Sequence, residues 1–159
     1  IYRTAQDSDK KVFEDAAKEL SRFLKDHPYA IPTERLGYDE PRRLNVLHYG
    51  FSEWGQLFND RQKLALATFG QVLGECHRTM RDKVDPEMAT AVSSVLSLIV
   101  SNITQYNTNV STWLSDGLVS AFIQSSSIPM RADYAEANPL MEKLVGGFLY
   151  QLDRTVELI

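Results

Sequence analysis

The stretch NDRQKLALATFGQVLGECHRTMRDKVDPEMATAVSSVLSLIVSNI, residues 59–103, decides the fold. Asn59 and Gln62 have the spacing of a capping box, in which each side chain accepts from the other's backbone N–H. Behind them Ala65, Phe69, Val72, Cys76 and Met80 recur on one helix face, with Leu66 and Leu73 beside it. Asp85-Pro86 opens a second helix: the acid caps, and the proline sits in the first turn, where its missing donor does no harm. Met88, Ala91, Val92, Val95, Leu96, Leu98, Ile99, Val100 and Ile103 then cover most of the circumference, so this is expected to be the central buried helix. Gly70 and Gly74 each cost the first helix roughly 1 kcal/mol relative to alanine, and their spacing predicts close approach of a partner helix.

Outward from this pair the pattern is less regular. Asp7-Ser8-Asp9 caps an N-terminal amphipathic helix carrying Val12, Phe13, Ala16, Leu20 and Phe23, which His27-Pro28 stops. Residues 29–50 are rich in proline, glycine and charge, and predict a long irregular connector with one short strand around Leu44, Val46 and Leu47. A connector of that length is uncommon in a small domain. Residues 52–58 form one or two helical turns with Trp54, Leu57 and Phe58 inward. Residues 118–124 predict a short helix, and residues 139–158 a final one. The expected fold class is mainly α: a bundle of about five helices with a long irregular connector, in one domain over residues 1–159. The first residue is Ile rather than Met, so the chain is expected to be a piece of a larger protein.

Composition narrows function only by class. The 43% hydrophobic and 24% charged fractions are those of a water-soluble globule. A net charge of -4 argues against a free-standing nucleic-acid binder, while leaving room for a basic stripe on one face. One cysteine, Cys76, excludes an internal disulfide and fits a reducing, cytoplasmic setting. The three histidines and the cysteine have no zinc-ligand spacing. The longest apolar run, residues 92–103, is too short to span a bilayer, so no membrane partner is expected.

Three motifs invite a chemical assignment. Asn138-Pro139 spells half of the Asn/Asp-Pro-Pro-Tyr/Phe loop with which amino-methyltransferases act on DNA bases. Leu140 and Met141 replace its second proline and its aromatic, and no hydrophobic strand precedes it, so a helix cap with proline in the first turn accounts for the pair. Arg43 and His48 fit the loose Arg-x4-His pattern of small helical ribonucleases (HEPN-like), in which one helix presents both at a phosphate. Arg78 and Arg81, three apart, share a helix face near Lys83 and could meet phosphates or simply solvent. From these residues alone the chain has no self-sufficient catalytic apparatus.

Three longer stretches carry a resemblance. YGFSEWGQLFNDRQKLALATFGQVL, residues 49–73, is similar to a segment of the large adenine-specific DNA methylases with a zinc-ribbon insert, through Gly50, Gly55, Leu57, Phe58, Arg61, Gln62, Ala65 and Leu66. IPMRADYAEANPLMEKLVGGF, residues 128–148, resembles a second segment of that family at Pro129, Met130, Asp133, Tyr134, Ala135, Glu136, Asn138, Pro139 and Gly147. Between them Asn107 and Trp113 match a third, and the order is kept. Ala132 and Leu140 depart from the family's Trp and Phe. The family's cofactor-binding part, zinc ribbon and Asp-Pro-Pro-Tyr loop are not in these residues.

The resemblance implies a helical accessory domain of an S-adenosylmethionine-dependent DNA adenine methyltransferase, inactive in isolation. S-adenosylmethionine and zinc are implied for the parent polypeptide, and no cofactor for this chain. The implied partners are the rest of that polypeptide and DNA. Arg61, Gln62, Arg78 and Arg81, with Asp133, Tyr134 and Glu136, are the residues expected to touch DNA or the neighbouring domain. A helical protein-interaction module, docking through residues 29–50 and 107–116, suits the composition equally well. The ribonuclease stands third.

Overall fold

A computed structural model describes residues 4–37, 43–114, 118–122, 127–131 and 133–158. Among them are four α-helices: α1 (Asp7–Asp26), α2 (Asp60–Arg81), α3 (Pro86–Thr104) and α4 (Phe148–Val156). The chain is mainly α, with four helices in place of the expected five. Neighbours in sequence pack in space: α1 on α2, α2 on α3, and α3 on α4.

The helix starts follow their local chemistry. Asn59 Oδ1 accepts from Gln62 N–H at 3.0 Å, and Gln62 Oε1 accepts from Asn59 N–H at 2.9 Å, so the expected capping box is closed. Asp85 Oδ2 accepts from the backbone of Glu87 and Met88, with Pro86 as the first helical residue. At α1 the cap is Gln6 rather than the acids after it. Its N–H donates to Asp9 Oδ2 at 2.8 Å, leaving Asp7 and Asp9 in a first turn whose exposed amides favour negative charge.

Three expected elements change. Residues 44–47 are not a strand: Leu44 makes one parallel bridge to Ile128, and Asn45–Tyr49 then wind into a 3-10 helix. Val119–Ser120 (β2) pair antiparallel with Thr112–Trp113 (β1), so the start of the predicted helix at 118–124 is a strand. Residues 123–126 lie outside the described residues, as do residues 38–42 of the connector and Ala132. The final helix starts at Phe148 rather than Pro139. Asn138 Oδ1 accepts from Leu140 N–H at 3.0 Å and the Asn138 carbonyl from Met141 N–H, which closes a turn instead of launching a helix. The one or two turns expected over residues 52–58 are present as a 3-10 helix, Trp54–Leu57.

The core sits where regular structure is sparse. Leu36, Val46, Leu57, Val110, Phe122 and Ile128 form one buried cluster, with Trp54, Phe58 and Met130 packed against it. Val119, Ala135, Ala137 and Leu144 form a second, under Tyr106. Gly55 is held close to the connector: a Cβ there would lie 2.6 Å from the Pro32 carbonyl oxygen, so only glycine fits.

α3 is not the buried centre. Ala89, Ile99 and Ile103 are its buried residues, whereas Met88 is 57% and Leu98 70% exposed. At 19 residues it is also long and apolar enough to cross a membrane by length and composition, exceeding the 12-residue run read from the sequence. His77 Nδ1 hydrogen-bonds Ser93 Oγ at 2.9 Å between α2 and α3. Beside this bond Gly70 and Gly74 face open space. A Cβ added at either would meet nothing within 4 Å among the described residues, so the expected close approach is not made there. Serines and Thr90 of α3 line a shallow cleft opposite them, too short-stemmed to fill it.

Candidate functional site

The first turn of α2 is the meeting point of three chain segments. Leu57 ends the preceding 3-10 helix, and its carbonyl accepts from Asn109 N–H at 2.8 Å, bringing residues 107–111 onto the corner. Ser111 Oγ donates to the Ala135 carbonyl at 2.9 Å, and Ala135 N–H donates back to the Ser111 carbonyl at 3.1 Å. That pair of bonds lays residues 133–138 alongside.

Side chains then lock the segment in place. Arg61 Nη2 lies 2.6 Å from Glu136 Oε2, a half-buried ion pair. Asn59, already the helix cap, also donates through Nδ2 to Glu136 Oε2 at 3.2 Å and to the Tyr134 hydroxyl at 3.3 Å. The Arg61 guanidinium carbon stands 5.3 Å from the Phe13 ring centroid, tying in α1 through a cation–π contact. Asn107, only 2% exposed, donates through Nδ2 to the carbonyls of Ile103 (2.8 Å) and Gly146 (2.9 Å). Gly146 is packed so closely that a Cβ would meet Tyr106 Cβ at 2.9 Å and Ala137 Cβ at 3.2 Å.

Of the residues singled out from sequence, Arg61, Gln62, Tyr134 and Glu136 therefore form one cluster, with Asp133 exposed at its rim. Arg78 and Arg81 do not join it. They occupy the last turn of α2, and 17 residues of helix put Arg78 roughly 25 Å from Arg61. Both are exposed and neither has an ion-pair partner among the described residues. Arg43 and His48 are not presented side by side on a helix, since the 3-10 helix begins only at Asn45. The ribonuclease geometry is thus not formed.

Sequence reasoning missed the second role of Asn59. Its cap was legible from local spacing, but its partners Tyr134 and Glu136 lie 75 and 77 residues away. Gly146 was equally silent, because nothing in a Gly-Gly pair announces an asparagine waiting for its carbonyl.

The cluster opens into a cleft of about 470 Å³ lined by Val12, Arg61, Gln62, Ala65, Asn107, Glu136, Ala137, Asn138 and Pro139. Three buried polar atoms of these residues have no hydrogen-bond partner among the described residues: Arg61 Nε, Gln62 Nε2 and Asn107 Oδ1. Along α2 the cleft adjoins an apolar groove of about 430 Å³ lined by Ala65, Thr68, Phe69, Val72 and Leu140 together with Asn138 and Pro139. No three His, Cys, Asp or Glu side chains come together as metal ligands among the described residues. Compared with known protein families, curated proteins and solved structures, the chain matches none.

Proposed function

We propose that this chain is a helical accessory domain of an S-adenosylmethionine-dependent DNA adenine methyltransferase, which holds or positions DNA beside a catalytic domain. One observation supports it above the others. The three stretches that resemble the zinc-ribbon adenine methylases are far apart in sequence, yet they meet in one cluster through Arg61–Glu136, Asn59–Tyr134 and Asn107–Gly146. Of the residues in these pairs, Arg61, Asn107, Tyr134 and Glu136 are among those that carry the likeness.

Within this reading the roles divide. Arg61 commits its charge to Glu136, so it acts as an internal clamp and DNA contact passes to Arg78 and Arg81. Exposed Met88 and Leu98 of α3 and exposed Leu140 supply the face for the neighbouring domain. S-adenosylmethionine and zinc enter only as groups of the parent polypeptide. The test is the intact mass of the native polypeptide and the sequence around this region. A longer chain, with a Gly-rich cofactor loop before it and Asp-Pro-Pro-Tyr after it, is expected. A native product of this size would overturn the proposal.

The exposed apolar side chains of α3 also favour a second reading, a non-catalytic helical protein-interaction module. It takes over if the native product carries no methylase motifs and is recovered bound to another protein through α3.

A further inference from the structure

We infer that α2 and α3 border a binding site for a neutral single-chain amphiphile: a medium-length acyl chain joined to a hydroxyl-bearing head. The inference does not depend on the methyltransferase reading.

Two cavities meet at Gly70. The first, about 320 Å³, lies between the end of α1, the connector and α2, with apolar walls from Phe23, Ile31, Pro32, Phe58 and Leu66. Lys63 also lines it, but its ammonium stands 3.6 Å from Asp60 Oδ1, so that charge is already paired. The second, about 400 Å³, lies between α2 and the N-terminal half of α3. Each has the size of a small-molecule site. Lys63, Leu66, Gly70, Gly74 and His77 recur at helical spacing on one face of α2, so the two cavities follow each other along it. The space over the glycines is open, since a Cβ at Gly70 or Gly74 would meet no atom within 4 Å among the described residues. Seven residues of helix, roughly 10 Å, separate Gly70 from Lys63, and that is about the reach of an octyl chain.

The second cavity differs in chemistry. Thr90, Ser94 and Ser97 are exposed along its wall, within reach of an occupant. Each hydroxyl donates its proton to a carbonyl of its own helix, those of Pro86, Thr90 and Ser93 respectively, all at 2.8 Å. What remains toward the cavity is oxygen lone pairs, which accept and cannot donate. His77 and Ser93, also in the wall, are bonded to each other. A wall of acceptors selects a head group that donates, either an ammonium or a set of hydroxyls. No Asp or Glu lines this cavity to balance a cation, and Arg78 and Arg81 lie just beyond His77 on the same helix. Charge therefore favours the neutral hydroxyl head, while the apolar cavity takes the chain.

1-Monooctanoylglycerol is the probe, titrated below its micelle-forming concentration into the 159-residue chain and followed by the backbone amide resonances of Gly70 and Gly74. Saturable shifts of both are expected. The butanoyl ester, four methylenes shorter, should bind on the order of a hundredfold more weakly. Octanoate keeps a long chain but replaces the hydroxyls with an acceptor-only anion, and should bind about tenfold more weakly or worse. Gly70→Leu keeps helix propensity and fills the junction, and should weaken the octanoyl ester by about tenfold or more. The site is overturned by the absence of a saturable shift at either glycine, or by shifts confined to Met88 and Leu98 on the open face of α3. Equal affinity for the butanoyl ester or for octanoate, or undiminished binding by a folded Gly70→Leu variant, would overturn it as well. The chain-length and head-group comparisons decide the matter without any variant.

Discussion

Arg61 and Glu136, 75 residues apart, meet at 2.6 Å, and the same guanidinium sits over the ring of Phe13. One side chain thereby joins α1, the start of α2 and the segment that crosses from the small sheet to the last helix. Asn59 reinforces the junction from the same turn, acting as a helix cap and as a donor to Glu136 and Tyr134. These long-range contacts all converge on the first turn of α2.

Removing either ion-pair partner should destabilise the fold. For a half-buried, charge-assisted bond we expect a coupling of about 1–2 kcal/mol between Arg61→Ala and Glu136→Ala, between the values for exposed and buried pairs. A double-mutant cycle in urea measures it. Additive effects would mean that the two side chains do not stabilise each other.

Asn107→Leu should cost more. It leaves the Gly146 carbonyl without its donor and the Ile103 carbonyl with only the Tyr106 N–H, at roughly 1–3 kcal/mol in all. Thermal unfolding reads the loss. A variant as stable as the parent would contradict the two bonds.

Two glycines should respond in opposite directions to the same added methyl. Gly74→Ala meets open space and gains helix propensity, so it should stabilise by up to about 1 kcal/mol and raise Tm by roughly 2–4 °C. Gly146→Ala must push against Tyr106 and Ala137 and should cost about 1–3 kcal/mol. Paired melting curves decide both.

Leu98→Glu tests the open face of α3. At 70% exposure the substitution should change stability by no more than about 0.5 kcal/mol, while weakening association with the neighbouring surface. A large loss of stability in the isolated chain would show that Leu98 is packed within the fold.

Much of this architecture was legible locally. The capping box at Asn59 and the Asp85-Pro86 cap placed α2 and α3, and His27-Pro28 placed the end of α1. Asn138-Pro139 misled because its local bonds are those of a helix start, and whether a turn becomes a helix depends on the residues after it. Here the Pro139 carbonyl accepts from Phe148 N–H, folding the chain back on itself. Apolar periodicity in α3 reported a capacity for burial, but Met88 and Leu98 find no covering element among the described residues. The cluster was half visible: Arg61, Gln62, Tyr134 and Glu136 stood out as residues, while their pairing depends on contacts across some 75 positions.

The most direct test of the central claim is methyl transfer by the native polypeptide containing this domain, from labelled S-adenosylmethionine to adenine in DNA. The Arg78→Ala/Arg81→Ala double variant is measured beside it. The account predicts labelled adenine, with KM for DNA raised in the variant, kcat little changed, and the salt dependence of DNA binding reduced by about two counterions. No transfer to DNA, or a KM unmoved by loss of both arginines, would contradict it.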